Sequence, residues 1–180
     1  EAFHTSRWNY HADLTDKRVG IIGTGATAVQ VIPEIAKVVK SLDVFQRTPS
    51  SIDVRDQRQT TEAEREEWAR TPGWARARRK RFSRISAGRT AIQANDDYLA
   101  GKVDDFKQRK QHTRQLTPEE MVNKQLNSNF RIMEQIRARV DEIVEDPATA
   151  AALKPYYPYG CKRPTFHDEF LPTFNLPHVN

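Results

Sequence analysis

The stretch Val19–Gln30, VGIIGTGATAVQ, decides the fold of this chain. Its run of small and β-branched residues is typical of a strand, and three small residues then follow with Gly-x-Gly-x-x-Ala spacing, Gly23, Gly25 and Ala28. Gly23 permits a tight turn, Gly25 lets a phosphate approach the backbone, and Ala28 lets a helix pack close to the strand. The N–H groups at the start of that helix would then face the phosphates. A tight turn that holds no ligand is the alternative.

The residues around this loop favour the ligand. Arg18–Gly23 reads as a short strand, and apolar residues recur at helical spacing from Ala26 to about Lys40. Leu42–Arg47, LDVFQR, reads as a second strand that Thr48-Pro49 ends. Because strand, loop, helix and strand follow in the order of a dinucleotide-binding unit, a dinucleotide is favoured over a ligand-free turn.

The residues at the end of the second strand indicate which dinucleotide the loop would bind. An NAD site usually has an acidic residue about 20 residues beyond the glycines, where it binds the ribose hydroxyls. Here that position reads FQRT and holds no carboxylate. Arg47 offers a fork of donors to a 2′-phosphate and Thr48 adds a hydroxyl, so NADPH is favoured over NADH. The alternative for Arg47 is a solvated arginine at a strand end.

Composition bounds the class of protein. The chain has 180 residues with a formal net charge of +5, and no apolar run approaches the roughly 20 residues that cross a membrane. The single cysteine, Cys161, excludes an internal disulfide and fits a reducing compartment, so we expect a cytoplasmic protein without a membrane partner. The sequence lacks an initiator Met, and we expect a piece of a longer protein.

Two other classes of partner are not favoured. The basic stretch Arg76–Arg84, RARRKRFSR, holds one aromatic residue and no zinc-ligand or RNP-like motif. A solvated helix face is therefore favoured over nucleic-acid binding. The five histidines are scattered without metal-ligand spacing, so no metal site is predicted.

The rest of the chain divides into two parts. Residues 51–154 are polar and helical, with capping-box patterns at Thr61–Glu64 and Thr117–Glu120 and an apolar stripe from Met121 to Val144. Residues 155–180 are rich in proline and aromatics and predict irregular backbone with one short strand. We therefore predict an α/β fold in which residues 1–50 and 155–180 form the core and 51–154 form a large helical insertion.

Three segments together resemble one enzyme family. FHTSRWNY, Phe3–Tyr10, is similar to the second half of the fingerprint of Baeyer–Villiger monooxygenases, except at Asn9. GTGATA and the later VFQRTP resemble the NADP-binding loop and 2′-phosphate strand of that family. GCKRPTFHDEFLPTFNLPHV, Gly160–Val179, resembles the segment that carries its active-site arginine.

The resemblance implies a Rossmann-like NADP-binding domain and assigns roles to individual residues. Arg163 would be the active-site arginine, and its permanent charge suits the anionic species of the reaction. Lys162 would join Arg47 and Thr48 at the 2′-phosphate. The residues assigned to NADP(H) are Gly23, Thr24, Gly25, Ala26, Thr27, Ala28, Gln30, Arg47, Thr48 and Lys162.

The resemblance also implies an activity for the parent protein. In the family, NADPH reduces FAD, which reacts with O2 to a C4a-peroxyflavin that inserts one oxygen atom into a ketone to give an ester or lactone. The glycine loop for FAD is absent from this sequence. The FAD-binding domain would therefore be a partner elsewhere in the same parent chain, and the 180-residue piece alone should be inactive.

Two alternatives stay open. A flavin monooxygenase that oxidises nitrogen or sulfur usually ends its fingerprint in a Tyr-type residue where Trp8 stands here. A non-catalytic NADP-binding module is the second.

Overall fold

The computed structural model describes residues 1–86 and 117–180, and within them the fold is mixed α/β. The described residues form two compact units, one of Glu1–Arg55 with the residues from Thr117 onward and one from Asp56 to Ser86. The strands are β1 (Arg18–Ile22), β2 (Ser41–Phe45), β3 (Ile52–Asp53) and β4 (Thr165–Phe166). The helices are α1 (Ala26–Ala36), α2 (Glu62–Arg70), α3 (Trp74–Ser86), α4 (Pro118–Ile143), α5 (Pro147–Leu153) and α6 (Phe170–Thr173), with a short 3-10 turn at Thr5–Arg7.

The first unit is built on the predicted strand–helix–strand. β1 and β2 pair in parallel, with Arg18 opposite Ser41 and Ile22 opposite Phe45. The helix α1 connects them and buries Val29 and Ile32, which are 1% and 0% exposed. Parallel strands need such a crossover, because a tight hairpin can join only antiparallel strands.

The C-terminal residues extend this sheet on the far side of β2. The Leu42 N–H donates to His178 O at 2.8 Å, and the Asn180 N–H donates back to Leu42 O at 2.8 Å. Val179 forms a parallel bridge to Leu42. β2, which precedes Arg47, is therefore paired on both of its edges.

A second parallel pair joins distant parts of the chain. β3 pairs with β4, and Ser51 O accepts hydrogen bonds from both the N–H and the hydroxyl of Thr165, at 2.9 and 3.0 Å. This pairing fixes the segment after β2 to the segment that follows Arg163.

The core of the first unit includes residues far apart in sequence. Its buried cluster combines the inner face of α1 with residues of α4, α5 and α6 and the loops beside them, among them Val140, Val144, Ala150, Leu153, Phe170 and Leu171. Burial of this apolar area is the main stabilising term of the unit, at roughly 25 cal/mol per Å².

Several elements differ from the sequence-based expectation. α1 ends at Ala36 rather than near Lys40, because the chain turns there and the Lys40 N–H donates to Lys17 O at 2.9 Å. The stripe on α4 is buried only in the C-terminal half of the helix, whereas Val122 and Phe130 are each 57% exposed. α5 falls within residues 51–154, which were predicted to be helical, whereas α6 was not predicted, since Pro172 obscured its short helical pattern.

The predicted bounds of the insertion also differ from the compact units. The prediction grouped residues 51–154, whereas the described residues from Thr117 onward pack with α1 in the first unit. The reason is physical: Val140 and Leu153 are 1% and 5% exposed within that core, a burial that helical periodicity cannot assign to one partner.

The second unit contains α2 and α3. The predicted capping box at the start of α2 is confirmed, because the Glu64 N–H donates to Thr61 Oγ1 and the Thr61 N–H donates to Glu64 Oε2. Trp68 and Trp74 stack with ring centroids 4.3 Å apart, and Arg78 lies 5.5 Å from the Trp68 ring. The predicted capping box at Thr117–Glu120 is likewise present at the start of α4 in the first unit.

Candidate functional site

The glycine loop joins the end of β1 to the start of α1. Gly23 has φ +102°, in the region that favours glycine, and its N–H donates to Phe45 O at 2.7 Å. Gly25 is the N-cap of α1 and gives the helix no side-chain cap. A Cβ built on Gly25 would meet nothing within 4 Å. The first turn of α1 therefore begins beside open space, with no side chain at Gly25 in the way.

Thr24 ties this loop to the residues after β2. Its side chain is buried, and its hydroxyl can donate to Gln46 Oε1 at 3.3 Å or to Thr48 O at 3.4 Å. The Ser50 hydroxyl donates to Thr24 O in a short hydrogen bond. These contacts hold the glycine loop against the segment that carries Arg47.

The other predicted loop residues divide by exposure. Ala28 is buried against the core, as is the side chain of Thr24, so any contact of these two residues with a ligand runs through the backbone. Ala26, Thr27 and Gln30 are exposed on the first turns of α1. The Gln30 amide donates to Ala26 O at 2.8 Å, which folds its side chain along the helix.

The segment after β2 lies beside a pair of tyrosines. Arg47 is exposed, and no other residue of the described ranges forms an ion pair or hydrogen bond with its guanidinium. The Tyr156 hydroxyl stands 3.5 Å from Thr48 Oγ1. Lys162 Nζ lies 5.0 Å from the centroid of the Tyr157 ring. The tyrosines thus connect Thr48 with Lys162.

A cavity of about 330 Å³ opens next to the loop. Ala26, Val29 and Gln30 of α1 line one side, and Arg55 with residues 164–166 line the other. Arg163, immediately before this lining, is exposed and forms no ion pair with another residue of the described segments. The cationic residue that lines this cavity is Arg55, and Arg163 precedes the lining residues 164–166 in the chain.

Sequence reasoning missed several residues that build the site. Gln46 and Ser50 hold Thr24, and the Ser51 N–H donates to the Tyr157 hydroxyl at 3.1 Å. The aromatic run before Gly160, KPYYPYG, was the signal available for the tyrosines. Tyr157 and Ser51 are 106 residues apart in sequence, so no local pattern could reveal their contact.

The site has neither a metal cluster nor a membrane element within the described part of the chain. In residues 1–86 and 117–180, no three or more His, Cys, Asp or Glu side chains are grouped so that they could hold an ion. Of the helices in those same ranges, none combines the length and apolar character of a membrane span.

Comparison with known proteins points to one group of enzymes. No protein-family model matches the chain. The chain is 45% identical to a Baeyer–Villiger monooxygenase of Stachybotrys chlorohalonatus, over 99% of this chain and 30% of that protein. The solved polycyclic ketone monooxygenase of Thermothelomyces thermophila is 41% identical, with a TM-score of 0.76 over 98% of this chain and 31% of that one.

A third relative was solved with its dinucleotide. The structure of an oxidized steroid monooxygenase bound to NADP is 26% identical, with a TM-score of 0.66 over 98% of this chain and 35% of that one. Almost the whole of this chain is therefore homologous to one segment of the Baeyer–Villiger monooxygenases. It spans about 30% of the length of the curated relatives that it matches.

Proposed function

We propose that this chain is the NADP-binding part of a Baeyer–Villiger monooxygenase, with a Rossmann-like core and a helical insertion. The observation that carries the proposal is that hydrogen bonds hold the glycine loop against the arginine segment, residues 46–50, which contains Arg47. Thr24, buried between Gly23 and Gly25, is hydrogen-bonded to the segment that carries Arg47. A dinucleotide needs both features close together, because its pyrophosphate and its ribose 2′-phosphate belong to one molecule.

The glycine loop fits the pyrophosphate. The open space beside Gly25 allows close approach, and the first N–H groups of α1 carry the positive end of the helix dipole. Thr27 and Gln30 are exposed on the same turns and would contact the cofactor with their side chains. Gly23, Thr24, Ala26 and Ala28 would contribute backbone.

The arginine segment fits the 2′-phosphate. Arg47 supplies a planar fork of donors that pairs with phosphate in a bidentate way, and Thr48 adds a hydroxyl. Lys162, in the loop after Gly160, would add a third donor. Tyr156 contacts Thr48 and Tyr157 contacts Lys162, so the two tyrosines connect these residues. NADH lacks the group that these side chains would bind.

Arg163 is proposed as the active-site arginine of the parent enzyme. The residues that follow it, 164–166, line the cavity that begins at α1, so a ligand held by the glycine loop would extend towards its segment. Its fixed positive charge would stabilise negative charge that develops during oxygen transfer. NADPH would supply the hydride and FAD the activation of O2, with FAD bound by another part of the parent chain. The 180-residue chain alone would then bind NADPH without oxidising ketones.

The names of the relatives give the substrate class that we propose. The parent enzyme would insert one oxygen atom from O2 into a ketone and release an ester or lactone. The polycyclic ketone and steroid monooxygenases among the solved relatives are consistent with such a substrate class.

Calorimetric titration with NADPH and then NADH tests the proposal on the 180-residue chain, after its folding has been checked by circular dichroism. We expect NADPH to bind more tightly, and Arg47→Ala to weaken NADPH about tenfold or more while leaving NADH unchanged. Arg18→Ala is the matched control, because it removes the same charge at the opposite end of the β1–β2 pair. A folded chain that binds neither dinucleotide would contradict the proposal.

A further inference from the structure

Tyr157 makes two contacts that bring distant segments together. Its hydroxyl accepts a hydrogen bond from the Ser51 N–H at 3.1 Å, which fixes the ring to the segment after β2. Its ring face lies 5.0 Å from Lys162 Nζ. The side chain of Tyr157 is half-buried.

The Tyr157 ring is the group that lies against the Lys162 ammonium. Lys162 is exposed in the loop after Gly160, and no other residue of the described segments forms an ion pair with its ammonium group. A lysine side chain has four rotatable bonds and loses rotamer entropy when it is fixed in one position. A ring face that attracts the ammonium reduces the number of positions that the side chain samples.

We propose that Tyr157 is a positioning residue that aims Lys162 at the 2′-phosphate and so sets the preference for NADPH over NADH. The inference rests on the proposed function and adds to it a residue that would touch no cofactor atom. Tyr156 supports this geometry, because its ring packs edge-on against Tyr157 at 6.2 Å while its hydroxyl stands 3.5 Å from Thr48 Oγ1. The two tyrosines therefore span the distance between the proposed phosphate ligands.

A double-mutant cycle on the 180-residue chain tests the coupling, with the ratio of the NADH and NADPH dissociation constants from calorimetry as the readout. Tyr157→Leu removes the ring face, and we expect the ratio to fall about three- to tenfold. Tyr157→Phe keeps the ring face and loses only the hydroxyl that accepts from the Ser51 N–H, so it should lower the ratio less than Tyr157→Leu does. In a Lys162→Ala background, Tyr157→Leu should change the ratio no further, because the ring then has no ammonium to aim.

The control and the folding check separate positioning from stability. Tyr10→Leu is the matched control, since Tyr10 is 89% exposed and should leave the ratio unchanged. A merely structural role of Tyr157 would weaken NADPH and NADH equally and leave the ratio constant. If Tyr157→Leu does not fold, Tyr157→Met, which fills more of the ring's volume without a π face, takes its place.

The possible failures are distinguishable. A wild-type chain that binds NADPH and loses it with Arg47→Ala, but keeps its ratio in Tyr157→Leu, would overturn the positioning role alone. A ratio that falls equally in the Lys162→Ala background would also overturn it. A folded wild-type chain without preference for NADPH would overturn the proposed function and the positioning role together.

Discussion

Gly23 and Gly25 stand two positions apart and are needed for different reasons. Gly23 has φ +102°, which an L side chain rarely adopts, whereas Gly25 has φ −74° and open space where a Cβ would stand. One glycine is therefore required by the backbone. In the proposed function, the other is required by the pyrophosphate that approaches it.

The two alanine variants should separate stability from binding. Gly23→Ala should lower the free energy of unfolding by about 1–3 kcal/mol, because it strains the backbone. Gly25→Ala should keep that free energy within about 1 kcal/mol. It should weaken NADPH at least about tenfold, because the new methyl group occupies the path of the pyrophosphate. Urea unfolding and calorimetry of both variants check this, and a Gly25→Ala chain with wild-type affinity would contradict the placement.

Thr24 gives a second prediction at this scale. Thr24→Val removes the hydroxyl that faces Gln46 and Thr48 while keeping the side chain's shape, so we expect a loss of about 1 kcal/mol in the free energy of unfolding. Thr27→Val is the control, since Thr27 is exposed one turn further on. Equal effects of the two changes would show that the buried hydrogen bond contributes nothing.

Among the helices, α2 begins with a capping box in which the Glu64 carboxylate accepts hydrogen bonds from two residues. The hydrogen bond from Arg58 and the one from the Thr61 N–H lower the pKa of Glu64 to about 2 from 4.5. Because the folded-state pKa is depressed, the stabilisation is complete above about pH 4.5 and is lost as the pH falls towards 2.

We therefore expect Glu64→Gln to reduce the acid sensitivity of α2. Glutamine can still cap at this position but carries no charge that titrates, so the variant should lose less helix signal than wild type between pH 4.5 and 2. Circular dichroism during acid titration measures this. Glu67→Gln, on the same helix, removes one negative charge outside the capping box and should leave the titration close to that of wild type.

The elements show where periodicity suffices and where it does not. Capping boxes and the β1–α1–β2 order are local patterns, and the structure has them where they were predicted. The half-burial of α4 was not predictable in the same way, because the stripe from Met121 to Val144 is continuous in sequence. Only the packing partner decides that Val140 is buried while Leu126 is exposed.

At the scale of the whole molecule, residues from the C-terminal part of the chain, after Thr117, belong to the core around α1. Leu153→Ala should lower the free energy of unfolding by about 2–4 kcal/mol, because its side chain is 5% exposed within that core. Leu126→Ala, at a position 49% exposed, should change it by less than about 0.5 kcal/mol. Urea unfolding of both variants checks this, and a small effect at Leu153 would mean that α5 is not part of the cooperative unit.

Only the part of the candidate site whose residues are close together in sequence was predictable from spacing. Gly23, Gly25 and Arg47 lie on one strand–helix–strand, so spacing alone relates them. Arg163 and Lys162 entered through resemblance to a family. The contacts that attach their segment, from Ser51 to Tyr157 and to Thr165, join residues more than 100 positions apart, and no local propensity encodes such distances.

The pairing of β3 with β4, which includes the hydrogen bonds between Ser51 and Thr165, has a consequence for the order of folding. β1, α1 and β2 are neighbours in sequence and can assemble quickly, whereas β3 and β4 must close a loop of more than 100 residues. We expect the Ser51–Thr165 pairing to form late in refolding, after the strand–helix–strand. The closure entropy of such a loop grows only slowly, by about 0.6 kcal/mol for each doubling of its length. A change of length between β3 and α4, outside the core residues that α4 and α5 contribute, should therefore cost little in closure entropy, provided that Ser51 and Thr165 still meet.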